Sequence, residues 1–201
     1  MPIDDPAALS AAVDALRAGA AVVVPTDTIY GLAVATAVPA ATAAVFAIKG
    51  RPSTVPLAVL VDSMEHALAL CEPPSAPARR LADRCWPGPL TMVLSRRADV
   101  EVELGGDGRT VGVRCPDHPF VRALARAVGP LATTSANRHG EPTPTHAADV
   151  ADALGERVAL VIDGGALAGV ASTVVDATDP SLPVLRAGPI SREEIDAAAL
   201  P

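Results

Sequence analysis

Lys49 is the only lysine in a chain whose lysines and arginines number 16, and it stands in the run Lys49-Gly50-Arg51-Pro52. Arginine is a planar, permanently charged fork, whereas lysine is a compact charge on a thin stem, so the two are not interchangeable where one donor must reach a narrow spot. A coding bias toward Ala, Arg and Pro would also leave a stray lysine, so the residue takes its meaning from its company. That company is a series of polar turns just beyond strand-like segments: Thr26-Asp27-Thr28, Lys49-Gly50-Arg51, residues 109–114, Thr133-Thr134-Ser135-Ala136-Asn137, Thr143-Pro144-Thr145, Ser172-Thr173 and Arg186. Several cations with many hydroxyls and few carboxylates make a set suited to a polyanion such as a nucleotide phosphate chain. Taken singly, each has a plainer reading. Ser, Thr and Asn favour turns because they bond to nearby backbone, and a lone arginine is usually a surface solubiliser.

The elements between these turns predict an α/β protein. Asp5-Pro6 offers an N-cap and a proline at the first helical position, followed by an apolar pattern that Gly19 stops. Residues 20–24 read as a strand, with the polar turn 25–31 at its carboxyl end, where α/β folds tend to place ligands. Helices are predicted over 40–48, 64–70, 76–85, 119–127 and 146–154, the last capped by Thr145, and strands over 57–61, 90–94, 110–114, 131–133, 158–162, 172–176 and 184–186. Ser191-Arg192-Glu193-Glu194 fits a capping box at the start of a final helix. Gly105 to Gly108 is a glycine-rich loop and the candidate for a moving segment. Interleaved strands and helices with no internal repeat and no linker favour one domain over residues 1–201.

Composition excludes several functions. Aromatic residues make up only 2% of the chain, which disfavours a base-stacking groove for single-stranded nucleic acid. A net charge of −7 argues against coating nucleic acid or membrane, though not against a local basic pocket. Three cysteines, Cys71, Cys85 and Cys115, with no C-x-x-C spacing, point neither to a disulfide framework nor to zinc, and fit a reducing cytosol. The acidic start lacks the features of a signal peptide. Residues 28–48 carry no charge and are long enough to cross a bilayer, but they are rich in Ala with Thr36, Pro39 and Thr42 inside, so a buried loop-helix unit is predicted instead. There is no G-x-x-x-x-G-K-[ST] loop, no G-x-G-x-x-G fingerprint, no histidine pair at metal spacing and no G-x-S-x-G elbow around Ser135. A P-loop, a dinucleotide fold, a structural metal and a hydrolase triad are therefore not expected.

Read in order, Pro25-Thr26-Asp27-Thr28-Ile29-Tyr30-Gly31-Leu32, Lys49-Gly50-Arg51-Pro52, Trp86-Pro87-Gly88-Pro89-Leu90-Thr91, Arg114-Cys115-Pro116, Thr134-Ser135-Ala136-Asn137, Ser172-Thr173-Val174-Val175-Asp176 and Arg186-Ala187-Gly188 resemble the motifs of the YrdC-domain family over about residues 8–189. K-x-R followed by S-x-N is that family's signature. The resemblance implies a YrdC-like twisted mixed sheet with flanking helices around an open cavity. It also implies threonylcarbamoyl-AMP synthase activity, a nucleotidyl transfer that joins L-threonine, bicarbonate and ATP, releases pyrophosphate and serves threonylcarbamoyladenosine modification of tRNA.

Carried over by position, threonine-binding residues would be Thr28, Arg114, Thr133 and Ser172. ATP-binding residues would be Lys49, Arg51, Thr110, Ser135, Asn137, Thr143 and Arg186, with Lys49 and Arg51 as the catalytic cations and no metal ligands. Mg²⁺ would ride on the ATP phosphates. The implied setting is cytoplasmic, away from membranes, with threonylcarbamoyl-transferase proteins downstream and tRNA contacted directly or indirectly. The chain departs from the family pattern at Val55 and Leu60, where members often carry a polar residue and a histidine, and longer members have a further C-terminal domain. Two other readings share these residues: a non-catalytic module that reads double-stranded RNA by shape, and the carbamoyl-transfer domain of hydrogenase maturation proteins, which lies within much longer chains.

Overall fold

The computed structural model describes residues 1–201. Its elements are α1 (Ala8–Arg17), β1 (Val22–Val24), β2 (Gly31–Ala35), α2 (Ala41–Lys49), β3 (Ala58–Leu60), α3 (Met64–Leu68), α4 (Ala76–Cys85), β4 (Leu90–Ser95), β5 (Thr110–Arg114), α5 (Pro119–Val128), β6 (Leu131–Ser135), α6 (Ala147–Leu154), β7 (Leu160–Val161), β8 (Thr173–Asp176), β9 (Val184–Arg186) and α7 (Arg192–Ala199). The nine strands form one mixed sheet in the order β7-β1-β2-β6-β3-β5-β4-β8-β9. The β7/β1, β3/β5 and β4/β8 pairs are parallel and the others antiparallel. This is the mixed sheet with flanking helices expected from the sequence.

Alternation along the strands sorts side chains between two faces. On one face Val23, Leu32, Val34, Val59, Val111, Val113, Leu90, Met92, Leu94 and Val175 join a continuous core with Val45 and Ile48 of α2, Leu81 of α4, Val150 and Leu154 of α6 and Ile195 of α7. On the other face Val22, Val24, Ala33, Ala35, Leu60 and Leu131 pack with Leu16 of α1 and Val121 and Leu124 of α5. Helices α1 and α5 pack on each other over this end of the sheet. Beyond them, Ala58, Gly112, Thr91, Val93 and Val174 line a cavity instead. One face is covered by helices along its length and the other only in part.

Three local expectations are revised. Helix α1 starts at Ala8 rather than at Pro6, because the Asp5 carboxylate accepts the Ala7 amide (2.8 Å) and caps a turn ahead of the helix. Thr145 does not cap α6: its hydroxyl pairs with His146 Nδ1 (3.1 Å), and His146 is the N-cap residue, its side chain making no bond to the amides of the helix. The uncharged segment 28–48, expected to be a buried loop-helix unit, also contains the strand β2. All five of its residues are buried between both layers, so it shows no polar alternation to mark it. No helix is long and apolar enough to cross a membrane.

At the β7 edge, Pro2 bridges to Asp163, and the Ile3 amide donates to the Asp163 carbonyl (2.9 Å). At the chain's other end the expected capping box is formed: the Glu194 amide donates to Ser191 Oγ (3.2 Å) and the Ser191 amide to Glu194 Oε2 (2.8 Å). The box starts α7, which packs on α4 and buries Ile195. Ser191→Ala should cost about 1 kcal/mol of unfolding free energy in urea titration, the usual worth of a serine N-cap.

Candidate functional site

The uncovered part of the sheet forms the floor of a cavity of about 350 Å³. Its walls are the turns that follow or precede the strands. Arg51 reaches in from the turn after α2, Thr110 and Arg114 from the two ends of β5, Thr133 and Ser135 from β6, and Thr143 from the loop before α6. Ser172 precedes β8, and Arg186 ends β9. All eight of these sequence-derived candidates line the cavity. The other three, Thr28, Lys49 and Asn137, are buried one layer behind it, each bonded to the lining or to one another.

Arg114 is 5% exposed and spans three segments. Its Nε donates to the Gly88 carbonyl (3.1 Å), Nη1 to Thr28 Oγ1 (2.7 Å) and Nη2 to Asp27 Oδ1 (2.6 Å). Burial lowers its pKa, and the Asp27 carboxylate opposes that shift. A guanidinium has five N–H groups, so one on each terminal nitrogen is left over. The turn that supplies Asp27 and Thr28 is held by Thr26, whose Oγ1 accepts the amides of Thr28 (3.1 Å) and Ile29 (3.2 Å).

Helix α2 delivers Lys49 as its last residue, and Gly50, with φ of 62°, turns the chain out through a left-handed conformation suited to glycine. Lys49 Nζ donates to the Ser135 carbonyl (2.7 Å), Asn137 Oδ1 (2.7 Å) and Ser135 Oγ (3.3 Å). These acceptors are all neutral. Burial, with Arg51 nearby, pushes the Lys49 pKa down to about 8. Asn137 is itself fixed by donating to the carbonyls of Arg138 (3.0 Å) and Glu141.

Arg51 donates through Nε to the Val55 carbonyl (3.1 Å), through Nη2 to the Pro56 carbonyl (2.9 Å) and through Nη1 to Thr134 Oγ1 (2.9 Å). The loop 52–56 is thereby folded around the guanidinium. Arg186 donates to the Ser172 carbonyl (2.8 Å) and hydroxyl (3.0 Å), and Ser172 Oγ pairs with Thr91 Oγ1 (2.8 Å). Burial lowers the pKa of both arginines. Neither has a carboxylate partner, and no Asp or Glu lines the cavity. A second hollow, of about 430 Å³, is lined by Arg96 and by residues between 101 and 108, where Glu101, Glu103 and Asp107 outnumber the one arginine and give it the wrong sign for an anion.

Reading by residue type left several members of the site without a role. Asp27, Thr26, Thr91 and Thr134 all sit inside motifs that were recognised, yet their function as holders of Arg114, Thr28, Ser172 and Arg51 depends on contacts across the sheet. Arg109 turns away from the cavity to pair with Asp107. Of the two departures from the family pattern, Leu60 lines the cavity beside Arg114, while Val55 is exposed and contributes its carbonyl to Arg51. The glycine-rich loop is tied down by a bond from the Gly106 amide to the Ser53 carbonyl (2.8 Å).

An open α/β cavity lined by hydroxyls and by three arginines, two of them without a carboxylate partner, has the chemistry of a polyanion-binding protein. The sequence profile of the Sua5/YciO/YrdC family, described as "Telomere recombination", matches residues 14–188, and the chain belongs to this family. A Mycobacterium tuberculosis protein is 40% identical over 196 residues, covering 94% of this chain and 90% of its own. The Homo sapiens threonylcarbamoyl-AMP synthase is 41% identical and covers 86% of this chain and 64% of its own. The crystal structure of Pyrococcus abyssi Sua5 complexed with L-threonine superposes with a TM-score of 0.90 at 37% identity, covering 94% of this chain and 56% of that one. The chain thus spans nearly all of one relative and little over half of another.

The depressed Lys49 pKa has a definite sign in stability. Near pH 7 the lysine is charged in both states and its burial penalty is present in full. Between about pH 8 and the ordinary value of 10.5 the folded protein binds fewer protons than the unfolded chain, so the penalty is relieved as pH rises. Relative to Lys49→Met, the wild-type protein should gain on the order of 2 kcal/mol between pH 7 and 9.5 in urea unfolding, a figure that follows from about 1.4 kcal/mol per pKa unit.

Proposed function

We propose that this chain synthesises L-threonylcarbamoyladenylate from L-threonine, bicarbonate and ATP with release of pyrophosphate. The observation that carries the reading is Arg51, Arg114 and Arg186 meeting at one cavity, with Lys49 behind its wall and Asp27 as the only carboxylate in their bonding. Membership of a family whose human member is named for this activity, and the likeness to a relative complexed with L-threonine, support it.

In this reading the threonine carboxylate takes the remaining terminal N–H groups of Arg114, while Thr133 and Ser172 bond the amino acid's polar groups. Thr28 acts through Arg114, whose guanidinium it holds. The nucleotide occupies the end walled by Arg51, Thr110, Ser135 and Thr143, with Arg186 across the cavity. The threonine amine combines with bicarbonate to give a carbamate and water. A carbamate oxygen then attacks the α-phosphorus of ATP, the bond to the bridging oxygen breaks, and pyrophosphate leaves. No covalent enzyme intermediate is needed, so the protein contributes position and charge. Arg51 and Arg186 offset the charge on the leaving pyrophosphate, and Lys49 adds to that field from behind Ser135.

Mg²⁺ enters on the ATP phosphates, and the chain gathers no group of three or more His, Cys, Asp or Glu side chains that could hold it alone. The product is a reactive mixed anhydride. A threonylcarbamoyl-transferase working on tRNA in the cytoplasm is the natural consumer.

Pyrophosphate release from ATP, with threonine and bicarbonate supplied together and each omitted in turn, and mass detection of the adenylate, tests the reading directly. Release that requires both supports it; a folded protein that releases none under any combination overturns it in favour of an RNA-binding role. Lys49→Ala should lower turnover by about 10² to 10³, the usual effect of losing one preorganised donor to developing charge. Lys49→Arg should also be poor, because the larger fork does not fit between Ser135 and Asn137. Near-normal turnover in both would remove Lys49 from the mechanism. Arg114→Ala should raise the KM for threonine far more than that for ATP, and an unchanged threonine KM would sink the carboxylate assignment.

A further inference from the structure

Gly112 lies at the middle of β5, a strand paired on both sides, with Val111 and Val113 buried on the opposite face. A glycine inside a strand loses more conformational freedom on folding than any other residue and brings no packing in return. Elsewhere in this chain such a cost has a visible cause. A Cβ on Gly188 would come within 2.3 Å of the Thr173 amide nitrogen, and one on Gly31 within 3.0 Å of Thr133 Oγ1. Gly112 has no such cause. Its φ is not in the left-handed region, and an added Cβ would meet only Thr91 Cγ2 at 3.5 Å and Ala58 Cβ at 4.0 Å, ordinary van der Waals contacts. The protein itself has room for a side chain here.

What a side chain would occupy is the cavity. Gly112 is on the floor, and its cross-strand partners on that face are Ala58 and Val93, so the bare patch is bordered by small and apolar groups. Along β5 it falls midway between Thr110 and Arg114. At about 3.3 Å per residue those two are roughly 13 Å apart. In the proposed reaction they belong to the nucleotide end and the threonine end. The α-phosphorus and the carbamate must meet between them. Because β5 has a partner strand on each side, its peptide groups are directed along the sheet, and Gly112 supplies space rather than hydrogen bonds.

We infer that Gly112 is a specificity-determining residue whose missing side chain admits the junction between threonine and nucleotide, so that a methyl group there obstructs the joined adenylate while leaving threonine binding intact. The inference rests on the proposed synthase reaction and adds to it the place on the floor where the new bond forms.

The test uses full-length wild-type protein, Gly112→Ala and Gly112→Val. Threonine binding without ATP is measured by calorimetry, adenylate formation by mass detection at saturating threonine, bicarbonate and MgATP, and folding by thermal unfolding. The Ala variant should have a Tm at or above that of wild type, because losing a glycine restricts the unfolded chain. Its threonine Kd should stay within threefold and its adenylate formation should fall at least fivefold, with a larger loss for Val. Should the Val variant not fold, the Ala variant decides alone. A folded Ala variant that loses less than fivefold overturns the inference, as does one whose threonine binding weakens more than threefold, since the methyl would then act on the amino-acid end. A wild-type protein that forms no adenylate overturns the synthase reading and this inference with it, whereas an active wild type beside an unaffected variant overturns the inference alone.

Discussion

Burial of the Arg114 guanidinium ties the site to the sheet. Burying a guanidinium this deeply is costly, and three hydrogen bonds together with the Asp27 counter-charge offset that cost. Here the partners come from two places, Asp27 and Thr28 in the turn after β1 and the Gly88 carbonyl before β4, and the guanidinium joins both to the strand β5 that carries it. Segments far apart in sequence are thereby fixed relative to one another around one plane of nitrogen atoms. The rest of the cavity repeats the device. Arg51 gathers Val55, Pro56 and Thr134, and Arg186 gathers Ser172, each cation organising a loop through carbonyl and hydroxyl oxygens rather than carboxylates. Loops held by neutral acceptors keep their positive charge available to a ligand.

The cavity exists because the two faces of the sheet are treated differently. Val, Leu and Met at every second position of β3, β4 and β5 commit one face to a covered core. The intervening positions carry Ala58, Gly112, Thr91 and Val93, too small to fill the space that α1 and α5 leave uncovered. The same period-two rule that stabilises the fold thus also shapes the floor. With few aromatic residues in the chain, the covered core is built mostly from aliphatic side chains, and the one tyrosine, Tyr30, is buried in that core and also uses its hydroxyl. That group donates to the Gly165 carbonyl (2.7 Å) and accepts the Gly164 amide (3.1 Å), anchoring the loop that leads to Ser172.

Much of this was legible from residue order. Polar turns beyond strands carry their chemistry openly, and Arg51, Thr110, Arg114, Thr133, Ser135, Thr143, Ser172 and Arg186, singled out by their motifs, all line one cavity. Depth was not legible. Lys49, Thr28 and Asn137 have the same types and spacing as their neighbours yet lie behind the wall, because depth depends on which turn overlies which strand. Asp27 was overlooked for a similar reason: a lone acid in a turn means little until a guanidinium is seen against it. Strand β2 escaped because burial on both sides erases the alternation that marks a strand. The caps of α1 and α6 failed locally, where a side-chain oxygen found a nearer partner than the helix's own amides.

The two margins of the sheet are unequal. At the β7 margin the outermost chain is the segment carrying Pro2, which has no amide hydrogen to offer a further strand. At the opposite margin β9 is only three residues long, ends in Arg186 and leaves Leu185 59% exposed. Lateral growth of the sheet by another chain is therefore impeded on the first side. On the second, a strand laid along β9 would abut the residue that grips Ser172, so crowding at that margin and occupancy of the cavity would be felt by the same guanidinium.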